Sequence, residues 1–438
     1  MKQDIHGLAV SGASGASIEK FEAAQHMLRC FRGDPLAAID AAIVADPGFV
    51  MGHVFKGYLF ALSTEAAAMP VARAAHEAAA RLPATAREAG HVAALGALVS
   101  GRWHQAGKLL EDLAIDHPRD ALALQAGHQI DFFTGNSRML RDRIARALPS
   151  WSADAPGYHA LLGMHAFGLE ETGDYVRAER AGRRAIELER HDGWAQHAVA
   201  HVMEMQARQR DGIAWMRADT PSWSEESFLQ VHNWWHLALF HYELGEIDEV
   251  FALLDGPIMS GKSTVALNMV DASALLWRLH LGGIDDSGRW ARLADLWEKQ
   301  NPSTYAFNAA HAMMAFAGAG RTRAAAALVE AQKAAMDCDG DNAAFTRDVG
   351  YPVAKAILAF VDGNYAETVD LLRPIRHLSH RFGGSHAQRD VIDLTLIEAA
   401  LRTGNAALAR AMTAERADHR PESPLSQLFV KRAIALGT

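Results

Sequence analysis

Glycine recurs along this chain at a near-constant interval, each time where an apolar helical stretch meets a polar residue and a second helical stretch begins. The pattern reads "ALVSGRWHQAGKLL" at Gly101, "IDFFTGNSRML" at Gly135, "LEETGDYVRAERA" at Gly173 and "HYELGEIDEVFALL" at Gly245. It continues as "RLHLGGIDD" at Gly282, "AFAGAGRTRAAAALV" at Gly320, "AFVDGNYAETVDLL" at Gly363 and "ALRTGNAALARAM" at Gly404. Gly33 reads as an earlier rung. Between Gly173 and Gly245 the expected rung falls near Ala207, in "MQARQRDGIAWM", where glycine is absent. With that gap counted as two steps, the interval stays between roughly 34 and 43 residues, the period of helix-turn-helix solenoids.

Between rungs the chain is rich in Ala and Leu, with apolar residues three and four apart, the helical period. Pro and Asp punctuate the other end of each unit, as in "AIVADPGFV" and "AIDHPRDAL". Almost no strand-type alternation is present. The reading is an all-α fold, a right-handed superhelical solenoid of about ten tetratricopeptide-like helical hairpins, each burying its apolar face on its neighbours. It forms one domain over 1–438, with a capping part at about 1–100, a His/Trp-rich central part at about 121–320 and C-terminal repeats at about 321–438. A set of unrelated helical bundles would not keep so regular an interval.

Composition narrows the partners. Half of the residues are hydrophobic, 22% are charged and the net charge is −9, with no basic patch. Nucleic acid is therefore not expected as a partner. No window approaches ~18 consecutive apolar residues, so no membrane span is expected. The N-terminal "MKQDIHGLAVSGASGAS" lacks the apolar region of a signal peptide. The two cysteines, Cys30 and Cys338, are too few for a disulfide framework or a Cys-based zinc site. These features read as a reduced, cytoplasmic protein.

Gly256 to Ser263, "GPIMSGKS", matches the Walker A phosphate loop letter for letter. A working loop of that kind follows a β-strand and sits in a parallel sheet. Here it lies in the turn between two helical stretches, "EIDEVFALL" and "STVALNMVDASALLWRLHL". No nucleotide is expected at Gly256–Ser263.

Histidine is the more informative residue, at 22 in the chain. In "WAQHAVAHVMEMQAR", His197, His201, Glu204 and Arg208 fall at i, i+4, i+7 and i+11, one polar stripe on a helix. In "VHNWWHLALFHYELGE", His232, His236 and Glu243 repeat that stripe, and His241 points away from it. Flanking units add His128 with Asp131, Tyr158 with His165, and Asn308 with His311; "GGSHAQRDVID" adds His386, Arg389 and Asp390. Eight of the ten Trp lie between residues 194 and 297. In a right-handed hairpin solenoid the first helices line the inner surface, so these stripes would converge on one enclosed groove. Aromatic walls with a few convergent polar groups suit a small molecule.

The plain alternative is that each histidine is a hydrogen-bonded core residue and the tryptophans fill space. Two H-x-x-x-H pairs, His197/His201 and His232/His236, have the spacing for one shared divalent metal. Neither is a metalloprotease H-E-x-x-H, since Ala198 and Asn233 stand at the Glu position. Without a metal, His201 or His236 with Glu204 would serve as an acid–base pair. No Ser-His-Asp or Cys-His arrangement is visible: "GGSHAQRD" lacks the nucleophile elbow and neither cysteine has a local base.

The segments "HDGWAQHAVAHVMEMQ", "HNWWHLALFHYELGE", "VDASALLWRLHLGG" and "GGSHAQRDV" resemble the family named after tetratricopeptide repeat protein 38. The resemblance runs from "FRGDPLAAIDAAIVADPGFVMGH" to the last rung, and departs at Ala207 and Gln209, where Gly-Arg would be expected. It implies a tetratricopeptide-like α-solenoid and brings no established reaction. It emphasises His197, His201 and Glu204, then His232, Trp235 and His236, and His386, Arg389 and Asp390.

Two functions follow. One is a small-molecule site, for binding alone or for hydrolysis or elimination of its ligand. His201, Glu204 and His236 would form its catalytic core, and one divalent metal would be held by His197, His201, His232 and His236. The ligand would be lined by His128, Asp131, His165, Trp194, Trp235, His311, His386, Arg389 and Asp390, with Arg389 suited to an anionic group. The other is a non-catalytic protein–protein interaction scaffold. Peptide grooves of such scaffolds are wide and lined by Asn, Lys and Arg, whereas here the first helices carry His, Trp and acids, which favours the small-molecule ligand.

Overall fold

Seven of the glycine rungs are helix stops of one kind. In the computed structural model, which describes residues 2–260, 263–284 and 288–437, Gly101, Gly135, Gly173, Gly245, Gly320, Gly363 and Gly404 have φ between +64° and +82°. That region is open to a residue without Cβ. At Gly173 the backbone N–H bonds to Glu170 O (2.9 Å) and that of Asp174 to Leu169 O (2.8 Å), a Schellman closure. Asp174 then caps the next helix through the N–H of Arg177. At the earlier rung the stop is Phe31 (φ +53°), whose N–H bonds to Leu28 O (3.2 Å) and that of Arg32 to Met27 O (2.9 Å); Gly33, two residues later, is left-handed too (φ +76°) but does not close the helix. At the doubled glycine the left-handed residue is Gly283 (φ +69°), while Gly282 is helical (φ −70°), so this rung falls one residue later than its sequence position suggested.

The missing rung is present without its glycine. Ala207 has φ +55° and makes the same closure, with its N–H on Glu204 O (3.0 Å) and that of Arg208 on Met203 O (2.8 Å). A Cβ in the left-handed region costs about 1–2 kcal/mol. Ala207→Gly should therefore stabilise the protein by about 1 kcal/mol, after the extra chain entropy of glycine is set against the relieved strain. The check is a higher urea midpoint at an unchanged slope.

Chain contacts group the residues into two compact units, Met1–Val199 with Asp219–Gln230 and Asp339–Asp341, and Ala200–Ala218 with Val231–Cys338 and Asn342–Thr438. The first unit opens on a short antiparallel pair, Lys2–Gln3 with Ala9–Val10. Its helices are α1 (Gly15–Cys30), α2 (Pro35–Ala45), α3 (Val50–Ala61), α4 (Met69–Ala80), α5 (Ala86–Val99), α6 (Trp103–Asp116), α7 (Ala121–Phe133), α8 (Ser137–Ala147), α9 (Tyr158–Glu170) and α10 (Tyr175–Leu188). The next helix, α11 (Gly193–Met205), begins in the first unit and ends in the second; α12 (Gln209–Ala218) belongs to the second and the short α13 (Thr220–Ser224) to the first. The second unit continues through α14 (Gln230–Glu243), α15 (Ile247–Leu253), α16 (Ala266–Leu281), α17 (Arg289–Trp297), α18 (Ala306–Gly318), α19 (Thr322–Met336) and α20 (Asp341–Phe345). It closes with α21 (Tyr351–Val361), α22 (Tyr365–Leu372), α23 (His386–Arg402), α24 (Ala406–His419) and α25 (Pro424–Ala435). The architecture is all-helical, with sequence neighbours packed as hairpins, consistent with an α-solenoid.

The two helices of a hairpin have different surroundings. In α9 every residue from His159 to Glu170 is buried, whereas α10 buries only Ala178, Gly182 and Ala185. The same contrast separates α18 from α19. In these hairpins the first helix is interior nearly all round and the second is an amphipathic cover. Polar residues buried on such a helix are core residues, and each must find a partner inside.

The second unit is drawn together by hydrogen bonds between distant parts of its chain. Trp277 Nε1 donates to Thr395 Oγ1 (2.9 Å), Arg278 Nη2 to Ala387 O (2.7 Å) and Arg402 Nη2 to Leu281 O (3.1 Å). Glu243, on α14, accepts from the Ser423 hydroxyl and from the Leu425 N–H that precede and open α25. Among the described residues, no helix is long and apolar enough to cross a membrane.

Candidate functional site: a buried histidine–carboxylate centre

The second-unit end of α11 and the start of α14 bring three imidazoles into one interior patch. His201, His232 and His236 are each at most 5% exposed. Their candidate ligand atoms lie within 4.8 Å of one another. The His201 and His236 rings are 4.4 Å apart between centroids, and those of His232 and His236 are 4.9 Å apart. Helical spacing places His232 and His236 on one face of α14.

A carboxylate fixes two of the three rings. His236 Nδ1 donates to Glu204 Oε2 (3.0 Å), and His232 Nδ1 donates to both oxygens of Asp271 (2.9 and 3.0 Å). The Glu204 and Asp271 side chains are 11% and 0% exposed. Burial raises both carboxyls above the usual range, against the pull of Arg420 and His201 on Glu204 and of His232 on Asp271. Burial, with His201 and His232 adding to it, holds His236 well below an ordinary imidazole. A neutral imidazole anchored through Nδ1 offers Nε2 as its ligand atom. An outer carboxylate on Nδ1 is the arrangement that orients metal-binding histidines. Trp235 stacks on His232 at 14° and 5.4 Å, which fixes the ring plane as well.

Beside Glu204 lies a cavity of about 20 Å³, lined among others by Tyr242, Glu243, Arg278, Asp390, Arg420 and Ser423. That volume holds about one water. Arg278 reaches it from α16, buried and with its guanidinium on the Ala274 and Ala387 carbonyls. Asp390 is bound by Arg416 (2.6 and 3.1 Å) and lies 4.0 Å from Arg420. Burial alone would raise its carboxyl, but Arg416 and Arg420 hold it well below the usual range. Of the residues read from sequence, the second unit thus unites His201, Glu204, His232, Trp235, His236 and Asp390.

The others have local duties. His311 donates from Nδ1 to Phe307 O one turn earlier (2.8 Å). Arg389 donates to Gly384 O, and His386 is the first residue of α23, half-buried. In the first unit, Asp131 is locked in a buried ion pair with Arg143 at 2.7 and 3.1 Å. His128 packs edge-on to Phe167 and Trp194, and burial brings its pKa down to about 3. His165 is buried on α9, with a pKa brought down by burial to about 4. His197 stands one turn before His201 on α11 and packs on Phe167 and Trp194.

Asp271 and Arg278 went unread in the sequence. Each is a lone charge inside the apolar run "VDASALLWRLHL", seven residues apart and so on one face, a signal that such charges have interior partners. Cys30 has an imidazole beside it, with Sγ 3.9 Å from His26 Nδ1 one helical turn away on α1, but burial pushes the thiol up, so His26 does not activate it. At the phosphate-loop match, Gly261 and Lys262 lie outside the described residues. The chain enters it from α15 and a helical turn over Leu254–Ile258, where a phosphate loop would follow a strand. No protein-family model matches the chain.

Proposed function

We propose that the chain is a cytoplasmic, right-handed array of about ten tetratricopeptide-like hairpins of the tetratricopeptide repeat protein 38 type. Its second unit holds a divalent metal ion through His201, His232 and His236 and transforms a small organic molecule by hydrolysis or elimination. His197, one turn before His201, is the fourth candidate ligand by spacing. The observation that carries this reading is the pair of carboxylate-anchored imidazoles meeting a third one in the interior. Three imidazoles suit Zn²⁺ and its first-row neighbours, and such an ion would lower the pKa of a bound water. Glu204 accepts from His236 Nδ1, which would orient that imidazole, and it also lines the cavity, where it can exchange a proton with a water. The cavity is lined by both signs of charge, Arg278 and Arg420 beside Glu204, Glu243 and Asp390, which suits a polar ligand. The cavity beyond Glu204 holds about one water, so an organic ligand would need its wall to move.

Metal content measured by plasma mass spectrometry on tag-free protein tests the reading. Wild-type protein should carry one equivalent more of a divalent metal than the His201→Ala/His236→Ala variant, with helical circular dichroism retained in both. Equal content in two folded proteins would overturn the metal centre. A partner protein captured equally by both would then favour the interaction scaffold.

A further inference from the structure

The first unit contains a second cluster with ligand chemistry, built from helices remote in sequence. His26 and Cys30 occupy successive turns at the end of α1, and His159 is the second residue of α9. Their candidate ligand atoms all lie within 4.8 Å of one another. Cys30 Sγ is 3.9 Å from His26 Nδ1 and 4.0 Å from its Nε2. The two imidazole rings meet edge to face, 6.1 Å apart.

The orientation of His159 points to a ligand. Its Nδ1 donates to Asp192 Oδ2 (2.8 Å), while Asp192 Oδ1 accepts from the Ala195 N–H and caps α11. One carboxylate thus starts a helix and aims an imidazole. His159 is 7% exposed, and its Nε2 is buried without a hydrogen-bond partner among the described residues. A buried nitrogen held in that state is costly unless something fills its lone pair. His26 is exposed, so solvent reaches the cluster from one side.

We propose that His26, Cys30 and His159 form a binding site for a zinc-class divalent ion, with Asp192 as the outer carboxylate and solvent water in the fourth position. One sulfur and two nitrogens match the donor preference of Zn²⁺, and three protein ligands with one open position form a tetrahedral site. Burial pushes the Cys30 thiol up, assisted by Asp192 and Glu189, and lowers the His26 imidazole. On binding, the Cys30 S–H bond breaks, a sulfur–metal bond forms and the proton leaves to solvent, so affinity rises with pH.

Co²⁺ titration of the full chain tests this, since a thiolate ligand gives cobalt a near-ultraviolet charge-transfer band that an all-nitrogen site lacks. The band should appear in wild-type and Cys338→Ser protein, disappear in Cys30→Ser, and survive in His201→Ala/His236→Ala. It can thus succeed or fail independently of the histidine centre in the second unit. Asp192→Asn keeps a capping side chain and should weaken Co²⁺ at this site by about 10–100-fold. His26→Ala, at an exposed position, should weaken it at least as much. Absence of the band in wild-type protein, or its persistence in Cys30→Ser, would overturn the proposal. If Cys30→Ser fails to fold, unchanged Co²⁺ affinity in both His26→Ala and Asp192→Asn would do the same.

Discussion

Asp131→Ala should destabilise the first unit by about 3–5 kcal/mol, because it strands the Arg143 guanidinium in the core. Arg143 Nε and Nη2 are both on Asp131, and Nη2 also reaches Gly107 O. The two side chains are 1% and 5% exposed, so water cannot replace the lost carboxylate. The guanidinium also lies flat on α7, where a Cβ at Gly127 would meet its Cζ at 2.6 Å, so it has little room to swing away. Removing both charges should cost less than removing one: Asp131→Ala/Arg143→Met is expected to recover about 1–3 kcal/mol of the single variant's loss. Urea unfolding of the two variants against wild type measures this. A ligand-binding duty for Asp131 would instead leave the midpoint unchanged.

Mild acid should destabilise this protein well before its depressed carboxylates titrate. Burial takes the His128 pKa down to about 3, with Arg143 pushing the same way, and that of His311 down to about 4. Both folded values lie below the ordinary 6.5, so between pH 6.5 and about 4 the unfolded chain binds the extra protons. Stability is full above pH 6.5 and falls as pH drops through that window. Each of these two histidines should cost on the order of 2 kcal/mol by about pH 5. His6 and His165, both lowered by burial to about 4, act in the same direction. The depressed carboxyls run on a separate scale. Burial alone would raise Asp120, but His91 and Arg87 outweigh it, and Asp390 is held down likewise. Their stabilisation is present above the unfolded carboxylate pKa and is lost only below it, outside the histidine window. Thermal unfolding from pH 7.5 to 5 should show the fall, and His128→Leu should flatten its slope. A midpoint level from pH 7 to 5 would show that these histidines are solvated.

The ladder was legible because a helix stop is local. Gly173 and Asp174 close their helix on carbonyls less than two turns back, so one short segment contains the whole device. Even the Ala207 rung obeyed, since three-dimensional packing supplies the strain that the residue itself resists. The histidine stripes were legible for the same reason, being set by helical period. What completes them was not. Asp271 bonds to His232 from 39 residues away, and Asp192 orients His159 from 33. Periodicity says which residues share a face, and nothing in it says which face meets which. His26 and Cys30 were within reach as an H-x-x-x-C turn, but His159 and its carboxylate come from elsewhere in the fold.

The ties across the second unit set the order of events in time. A linear array frays from its ends, because each repeat answers only to its neighbours. Here Glu243 is held by Ser423, 180 residues later, and Trp277 by Thr395, 118 residues later. Those bonds reward the chain only after a long loop has closed, so the entropy of closure is met early and the gain arrives late. The last hairpin then acts as a clasp rather than a fringe. Such a unit assembles slowly, and once the clasp opens it comes apart as a whole.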